Sequence, residues 1–222
     1  MAERGLFFMF EGCDGVGKTL HAQRLLEYIK SIGQEAIFVK GIGESSLGEY
    51  VKHCLVNEDL EPMTEVLLLF ASRYETHINY IRPALLNGVH VICDRGDDST
   101  LVYQGHLRKI KWHDIMTIKR IVFGNIEPDV TFLLHCNAAT IMQRVSERGK
   151  KDKYDLCDIA MYESIQECFH LAAKIFFYRY HTINTEKPIS TTHQSVMKIF
   201  HETLEKQRRG ETNINIDIDT GH

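Results

Sequence analysis

The sequence contains one glycine-rich segment whose residue types and spacing suit the binding of a nucleoside triphosphate. It matches G-x-x-x-x-G-K-[ST] in full and comprises Gly12, Cys13, Asp14, Gly15, Val16, Gly17, Lys18 and Thr19. Glycines let consecutive backbone N–H groups turn onto phosphate oxygens, and the N-terminus of a following helix adds partial positive charge. Lys18 can neutralise the β- and γ-phosphates, while the Thr19 hydroxyl can bind Mg²⁺. The segment therefore predicts a P-loop that binds ATP or a similar nucleotide with Mg²⁺.

Other residues decide which reaction the bound nucleotide undergoes. The sequence contains neither Asn-Lys-x-Asp nor Thr-Lys-x-Asp, which disfavours a guanine-specific switch. A motor ATPase would show an apolar strand ending in Asp-Glu, whereas the segment Val91–Asp94 is followed by Arg95. An arginine there suits the charge of a transferred phosphoryl group better than the activation of water. The sequence therefore favours phosphoryl transfer between two phosphate-bearing molecules.

The segments around the P-loop predict the elements that must position it. The apolar run Leu6–Phe10 precedes the loop, and a helical pattern of apolar residues follows it at positions 22, 25, 26 and 29. Further short apolar runs occur at 35–39, 89–93, 130–136 and, more weakly, 180–183. Their alternation with helical patterns predicts an α/β fold of three layers, in which helices flank a parallel sheet of about five strands.

A long helix is predicted over residues 64–86, and four consecutive apolar residues, 66–69, make it apolar on more than one face. It therefore either lies centrally in the fold or forms half of a dimer interface, and the pattern leaves both open. Other helices are expected at 112–124, 138–148, 156–179 and 191–207. We expect one domain over residues 1–206 and a mobile tail over 207–222.

Composition excludes several classes of protein. The 222 residues include 44% hydrophobic and 25% charged residues, and the net charge is −4, so no global positive field attracts nucleic acid. No apolar run is long enough to span a membrane, and the N-terminal segment does not resemble a signal peptide. Six cysteines without a CxxC pair and histidines without HxxxH spacing predict no metal site built from side chains alone. The expected location is the cytoplasm.

Several stretches, in order, resemble the thymidylate kinase family over roughly residues 6–205. They are Phe10–Thr19, Leu69–Arg73, Ile81–Leu85, Asp94-Arg95, Ser99-Thr100 with Tyr103–Gly105, Pro128-Asp129, and Arg144 with Arg148-Gly149. The resemblance implies a P-loop kinase that converts ATP and dTMP to ADP and dTDP. It also implies Mg²⁺ bound at Thr19 and Asp94, partly through water, and a homodimer formed through the 64–86 helix.

The resemblance also implies roles for single residues on the dTMP side. Asp14 would accept a hydrogen bond from the sugar 3′-hydroxyl, Phe70 would stack on thymine, and Arg73 would reach a thymine carbonyl. The remaining implied contacts to dTMP are Lys40, Arg95, Ser99, Tyr103 and Gln104. Because Phe70 and Arg73 are three residues apart, they are predicted to share one helix face.

On the ATP side, the resemblance implies that Arg144 holds adenine and that Arg95 bridges the acceptor phosphate and the γ-phosphate. A lid over about residues 149–156 would close to exclude water. Gly15 stands where the eukaryote-like branch carries an arginine, so a bacterial-like lid is expected to supply the missing cation. Its candidate cations are Arg148, Lys150, Lys151 and Lys153, with Lys153 in a catalytic role.

Three departures from the family pattern affect the expected rate and acceptor preference. The family typically has Arg-Glu-Pro-Gly-Gly-Thr after the second strand, where this chain has Lys-Gly-Ile-Gly-Glu-Ser at 40–45. Lys153 and Asp155 replace the usual arginine and glutamate of the lid, and lysine lacks the planar fork that grips phosphate. Two alternatives therefore stay open: a kinase of another nucleoside monophosphate, and a nucleotide-binding module with impaired transfer.

Overall fold

Five strands form one parallel sheet in the computed structural model, which describes residues 3–42, 45–147 and 158–211. They are β1 (Phe7–Glu11), β2 (Ala36–Lys40), β3 (His90–Asp94), β4 (Val130–His135) and β5 (Tyr180–Asn184). Their order across the sheet is β2-β3-β1-β4-β5, and all neighbouring pairs are parallel. The predicted five-stranded parallel sheet is thus confirmed.

Helices cover both faces of this sheet. In β1, Phe8 and Phe10 pack into the larger hydrophobic core on one face, while Phe7 and Met9 pack into a smaller core on the other. Every β1 residue is buried, as expected for a central strand covered on both sides. The helices are α1 (Lys18–Ser31), α2 (Ser46–Asn57), α3 (Pro62–Thr76), α4 (Arg82–Leu86), α5 (Asp98–Thr100), α6 (Trp112–Phe123), α7 (Ala138–Glu147), α8 (Ile159–Ile175) and α9 (Ile189–Arg208).

The long helix predicted over 64–86 is present as one continuous rod with an irregular middle. A π-helical turn, His77–Ile81, joins α3 directly to α4. A second π-helical stretch, Leu101–Leu107, continues α5. Neither this second helix nor α2 was predicted from the sequence. The spacing of a π-helix departs from 3.6 residues per turn, and α2 contains Gly48 near its start.

Helix ends differ slightly from the expected bounds. Helix α8 ends at Ile175, and residues 176–179 form a turn where the prediction continued the helix. Helix α9 runs to Arg208, just beyond the predicted start of the tail. The predicted lid, 149–156, and residues 212–222 lie outside the described residues. Among the described residues, no helix is both long enough and apolar enough to span a bilayer.

The P-loop lies at the carboxyl ends of the strands, near the middle of the sheet. β1 lies between β3 and β4. The connection from β1 to β2 runs across the sheet in one direction, and the connection from β3 to β4 runs in the other. In open parallel sheets, ligands bind at the carboxyl ends of the strands beside such a switch point. At these carboxyl ends, β1 continues into the P-loop, β2 is followed by Gly41, and β3 is followed by Arg95.

Candidate active site

The P-loop connects β1 to α1 in a conformation that needs glycine. Gly12 has a φ of 132°, and a Cβ atom there would lie 2.2 Å from the carbonyl oxygen of Leu134. Gly17, at the helix N-cap, is left-handed with a φ of 94°. Lys18 Nζ donates to the Cys13 carbonyl at 2.7 Å and lies 3.5 Å from Asp14. Burial lowers the pKa of Lys18, and the positive charge of Arg95 lowers it further.

Two cavities meet at an ion pair between Asp14 and Arg95, whose Oδ1 and Nη2 atoms are 2.7 Å apart. The larger cavity, about 700 Å³, is lined by the P-loop together with Lys40, Asp94 and Arg144. The smaller, about 220 Å³, is lined by Arg73, Ser99, Tyr103 and Gln104 among others. Asp14 and Arg95 line both cavities. We call them the donor cavity and the acceptor cavity.

Arg95 is held in an unusual backbone conformation. Its φ is 71°, in a region that non-glycine residues rarely occupy, and such strain concentrates at functional sites. Its Nη1 atom donates to Ser99 Oγ at 3.1 Å, and its guanidinium lies 5.1 Å from the centre of the Tyr103 ring. Gly41 packs so closely that a Cβ atom there would lie 1.8 Å from the Arg95 carbonyl oxygen. Although burial lowers the pKa of Arg95, the Asp14 carboxylate and Tyr103 raise it more, and the net shift is upward.

A buried carboxylate, Glu11, fastens this segment to β1. Its two oxygens accept from Gly96 N at 2.9 Å, Ser99 N at 3.2 Å and Ser99 Oγ at 2.6 Å. Burial raises the pKa of Glu11, and the nearby Asp98 carboxylate raises it further. Glu11 was not singled out from the sequence, since a carboxylate at a strand end has no local pattern that marks it.

Residues expected on the ATP side lie around the donor cavity. Thr19 Oγ1 donates to Asp94 Oδ2, so two hard oxygen ligands converge beside the P-loop, and both suit Mg²⁺. Arg144 Nη2 donates to the Thr185 carbonyl at 2.9 Å, and its Nη1 lies 3.4 Å from the Gly15 carbonyl. The described residues contain no cluster of three or more His, Cys, Asp or Glu side chains for a metal. Arg148 and Lys153 lie outside the described residues.

Arg73, the predicted contact to a thymine carbonyl, lines the acceptor cavity. Its Nε donates to the Gly41 carbonyl at 3.0 Å and its Nη1 to Thr100 Oγ1 at 2.5 Å. These bonds fix a buried guanidinium at the wall of the acceptor cavity. Ser99, Tyr103 and Gln104, all buried, line the same cavity.

The structure places Phe70 in the main hydrophobic core and beside Arg73. The side chain is 1% exposed, and its ring lies 5.9 Å from the Phe123 ring and 5.9 Å from the Arg73 guanidinium carbon. It is not among the residues that line the acceptor cavity, and its stacking on thymine stays a prediction. Leu69 lines that cavity instead, four residues before Arg73. A helix turns about 100° per residue, so residues four apart lie about 40° apart around the axis and those three apart about 60°. The spacing of four between Leu69 and Arg73 could therefore have indicated from the sequence that both lie on the same side of the helix.

Lys52 is a second cavity residue that was not predicted from the sequence. It is exposed on α2 and lines both cavities. Because α2 itself was not predicted, nothing in the sequence placed this cation near the P-loop. Ile42, Leu55 and Val56 join Leu69 in an apolar wall of the acceptor cavity.

Comparison with known proteins identifies the family. The model of the family described as thymidylate kinase matches residues 10–196. The chain belongs to the thymidylate kinase family. The thymidylate kinase of Pseudomonas fluorescens is 32% identical over 207 residues, which cover 92% of this chain and 99% of that protein. The thymidylate kinase of Rickettsia typhi is 33% identical over 203 residues, which cover 91% and 97% of the two chains.

A solved thymidylate kinase structure shares the fold. The crystal structure of thymidylate kinase from Ehrlichia chaffeensis superimposes with a TM-score of 0.74 at 27% identity, covering 89% of this chain and 99% of that chain. The five-stranded parallel sheet and its flanking helices are therefore the thymidylate kinase fold. The matched region contains the P-loop, both cavities and the Asp14–Arg95 pair.

Proposed function

We propose that the protein transfers the γ-phosphate of ATP to dTMP, giving ADP and dTDP. The observation that carries this proposal is the position of Arg95, which lines both cavities at their junction. A cation there can neutralise charge on the phosphoryl group throughout its passage from one nucleotide to the other. Membership in the thymidylate kinase family supports dTMP as the acceptor.

Positioning and charge neutralisation supply the catalysis in this proposal. The P-loop amides and Lys18 hold the donor phosphates, and Arg95 aligns the acceptor phosphate with them. No general base is required, because the acceptor phosphate reacts as a dianion. Asp14 Oδ1 accepts from Arg95 Nη2 at 2.7 Å and so holds it at the junction. Asp14 also accepts from the sugar 3′-hydroxyl in this proposal. Arg148 and Lys153 complete the charge from the proposed lid.

Mg²⁺ is part of the proposal, with Thr19 and Asp94 as its protein contacts. When bound, it would supply positive charge that polarises the phosphates of ATP. The two side chains fit this role because both offer oxygen and already meet at the P-loop. Removal of the ion by chelation should abolish turnover, and its restoration should recover it.

The proposed reaction is tested by ADP release over a panel of dTMP, dUMP, dCMP, dGMP, dAMP and their ribose forms. We expect the highest kcat/KM with dTMP. Equal or better turnover with a purine acceptor would identify a kinase of another nucleoside monophosphate. ATP binding without ADP release for any acceptor would identify a nucleotide-binding module and refute the proposal.

We also propose a homodimer formed through α3. Leu67, Tyr74 and Ile78 are exposed at spacings of seven and four, so they form an apolar stripe along one side of this rod. Val66 and Phe70, which lie about 60–100° around the helix axis from Leu67, are buried in the core. That face of α3 belongs to the core, and the exposed stripe carries the proposed dimer.

Light scattering at micromolar concentration tests the dimer. Wild-type protein should have twice the mass of one chain, and Leu67→Glu should halve it. Ile121→Glu, on the exposed surface of α6, is the matched control and should leave the mass unchanged. A monomeric wild type would count against the proposal.

A further inference from the structure

Gln104 lies in the acceptor cavity with one side of its amide already engaged. Its Nε2 atom donates to Glu65 Oε2 at 3.0 Å, and both side chains are buried. Arg108 Nη2 lies 3.5 Å from the other carboxylate oxygen of Glu65. Carboxylate oxygens accept hydrogen bonds, so the amide turns its NH₂ group towards Glu65.

The carbonyl oxygen of Gln104 is consequently the atom left for a ligand. Among the described residues, no side chain or backbone group donates to Oε1 of Gln104. Arg73 leaves a complementary group in the same cavity, because its Nε and Nη1 are engaged while Nη2 has no hydrogen-bond partner among those residues. The cavity therefore offers one fixed acceptor and one fixed donor.

Thymine and cytosine present opposite patterns to such a pair. The N3–H of thymine donates and its neighbouring O4 accepts, so both match Gln104 Oε1 and Arg73 Nη2. In cytosine, N3 accepts and the 4-amino group donates, so both contacts become repulsive. A site whose buried polar groups are left unmatched rejects the wrong ligand strongly, because each unmatched group loses its hydrogen bonds with water.

We propose that Glu65 is a specificity-determining positioning residue that selects keto pyrimidines over cytosine by orienting the amide of Gln104. This inference rests on the proposed function, since it concerns the same acceptor cavity. Glu65 acts through Gln104 and does not itself line the cavity. It lies on α3 at spacings of four with Leu69 and Arg73, so one helix face carries the cavity wall, the donor and the positioning residue.

The test compares dTMP and dCMP in wild type and in Glu65→Gln. A glutamine at this position can donate as well as accept, so Gln104 becomes free to turn its NH₂ group into the cavity. We expect the ratio of kcat/KM for dTMP to that for dCMP to fall about tenfold or more. Because dUMP shares N3–H and O4 with dTMP, the ratio between those two should not change.

A double variant, Glu65→Gln with Gln104→Glu, provides the rescue. The new amide donates to the new carboxylate, whose other oxygen again offers an acceptor to the base, so the preference for dTMP should return to within about threefold of wild type. Each ratio is measured on one sample and does not depend on the folded fraction. Proportional losses for dTMP and dCMP in Glu65→Gln, or no rescue by the double variant, would overturn the proposal.

Equilibrium binding of dTMP and dCMP separates this proposal from the proposed function. If wild type fails to transfer phosphate, the proposed function fails, and the ratio of the two dissociation constants still tests Glu65. A wild-type preference for dTMP in binding that is lost in Glu65→Gln supports the positioning role. Equal affinity of wild type for both nucleotides would refute it.

Discussion

Arg179 donates two hydrogen bonds to the carboxylate of Asp98, at 2.7 and 3.0 Å, and both side chains are almost completely buried. Asp98 precedes Ser99 on the segment that carries the acceptor-cavity residues. Tyr180 also donates to Asp98 at 2.7 Å, and Lys119 lies 2.7 Å from the neighbouring Asp97. The pair therefore joins the active-site segment to the start of β5.

Arg179→Met is expected to lower the free energy of unfolding by about 3–5 kcal/mol, because it leaves the Asp98 carboxylate buried without its main partner. Urea denaturation followed by circular dichroism measures the loss. Lys198→Met is the control, since Lys198 forms an exposed pair with Glu202 at 3.9 Å and should change little. Equal midpoints for Arg179→Met and wild type would contradict the importance of this ion pair.

Leu69 and Phe70 are expected to affect different properties. Leu69→Ala should raise the KM for dTMP about tenfold and leave the KM for ATP unchanged, because it removes apolar contact from the acceptor cavity. Phe70→Ala should lower the free energy of unfolding by about 3–5 kcal/mol and leave the KM for dTMP within about twofold. Steady-state kinetics and urea denaturation of both variants provide the comparison. The reverse pattern would support Phe70 as the base-contacting residue.

Arg95→Ala and Lys18→Ala should each reduce kcat by about 100-fold or more, because each removes a cation that neutralises charge in the transition state. Both should retain the unfolding midpoint of wild type within a few degrees. Arg120→Ala, an exposed arginine on α6, is the control and should keep full turnover. Near-normal rates in either of the first two variants would defeat the proposed mechanism.

Stability should decrease as the pH falls from about 6.5 towards 4, and His77 should contribute to this slope. The pKa of His77 is lowered from 6.5 to about 4, chiefly by burial and also by the positive charge of Arg82, while Asp97 opposes the shift. The unfolded chain binds a proton in this range that the folded chain does not bind, so the stabilisation present above pH 6.5 is lost on acidification.

His77→Phe should therefore flatten the dependence of unfolding free energy on pH between about 4 and 6.5, by roughly 1–3 kcal/mol over the interval. The substitution keeps an aromatic ring against Phe123, which lies 5.2 Å from His77. His113→Phe, at an exposed position on α6, is the matched control. An unchanged slope in His77→Phe would show that other groups control the acid response.

The sequence alone determined the P-loop and the class of fold. The loop is predictable because its function depends on consecutive residues, whose backbone conformations follow from glycine and from the strand and helix on either side. The sheet is predictable because buried parallel strands need short apolar runs. The resemblance also predicted contacts to the two nucleotides, from Asp14 to Arg144, and these roles stay predictions.

Only the tertiary structure decided which side chains face the acceptor cavity. Val66–Phe70 is a run of apolar residues on a helix with two packed sides and one exposed side, so its pattern could not distinguish Leu69 in the cavity from Phe70 in the core. Glu65 meets Gln104 from 39 residues away, and Asp98 meets Arg179 from 81 residues away. Such contacts depend on how separate elements pack against one another, which local spacing does not specify.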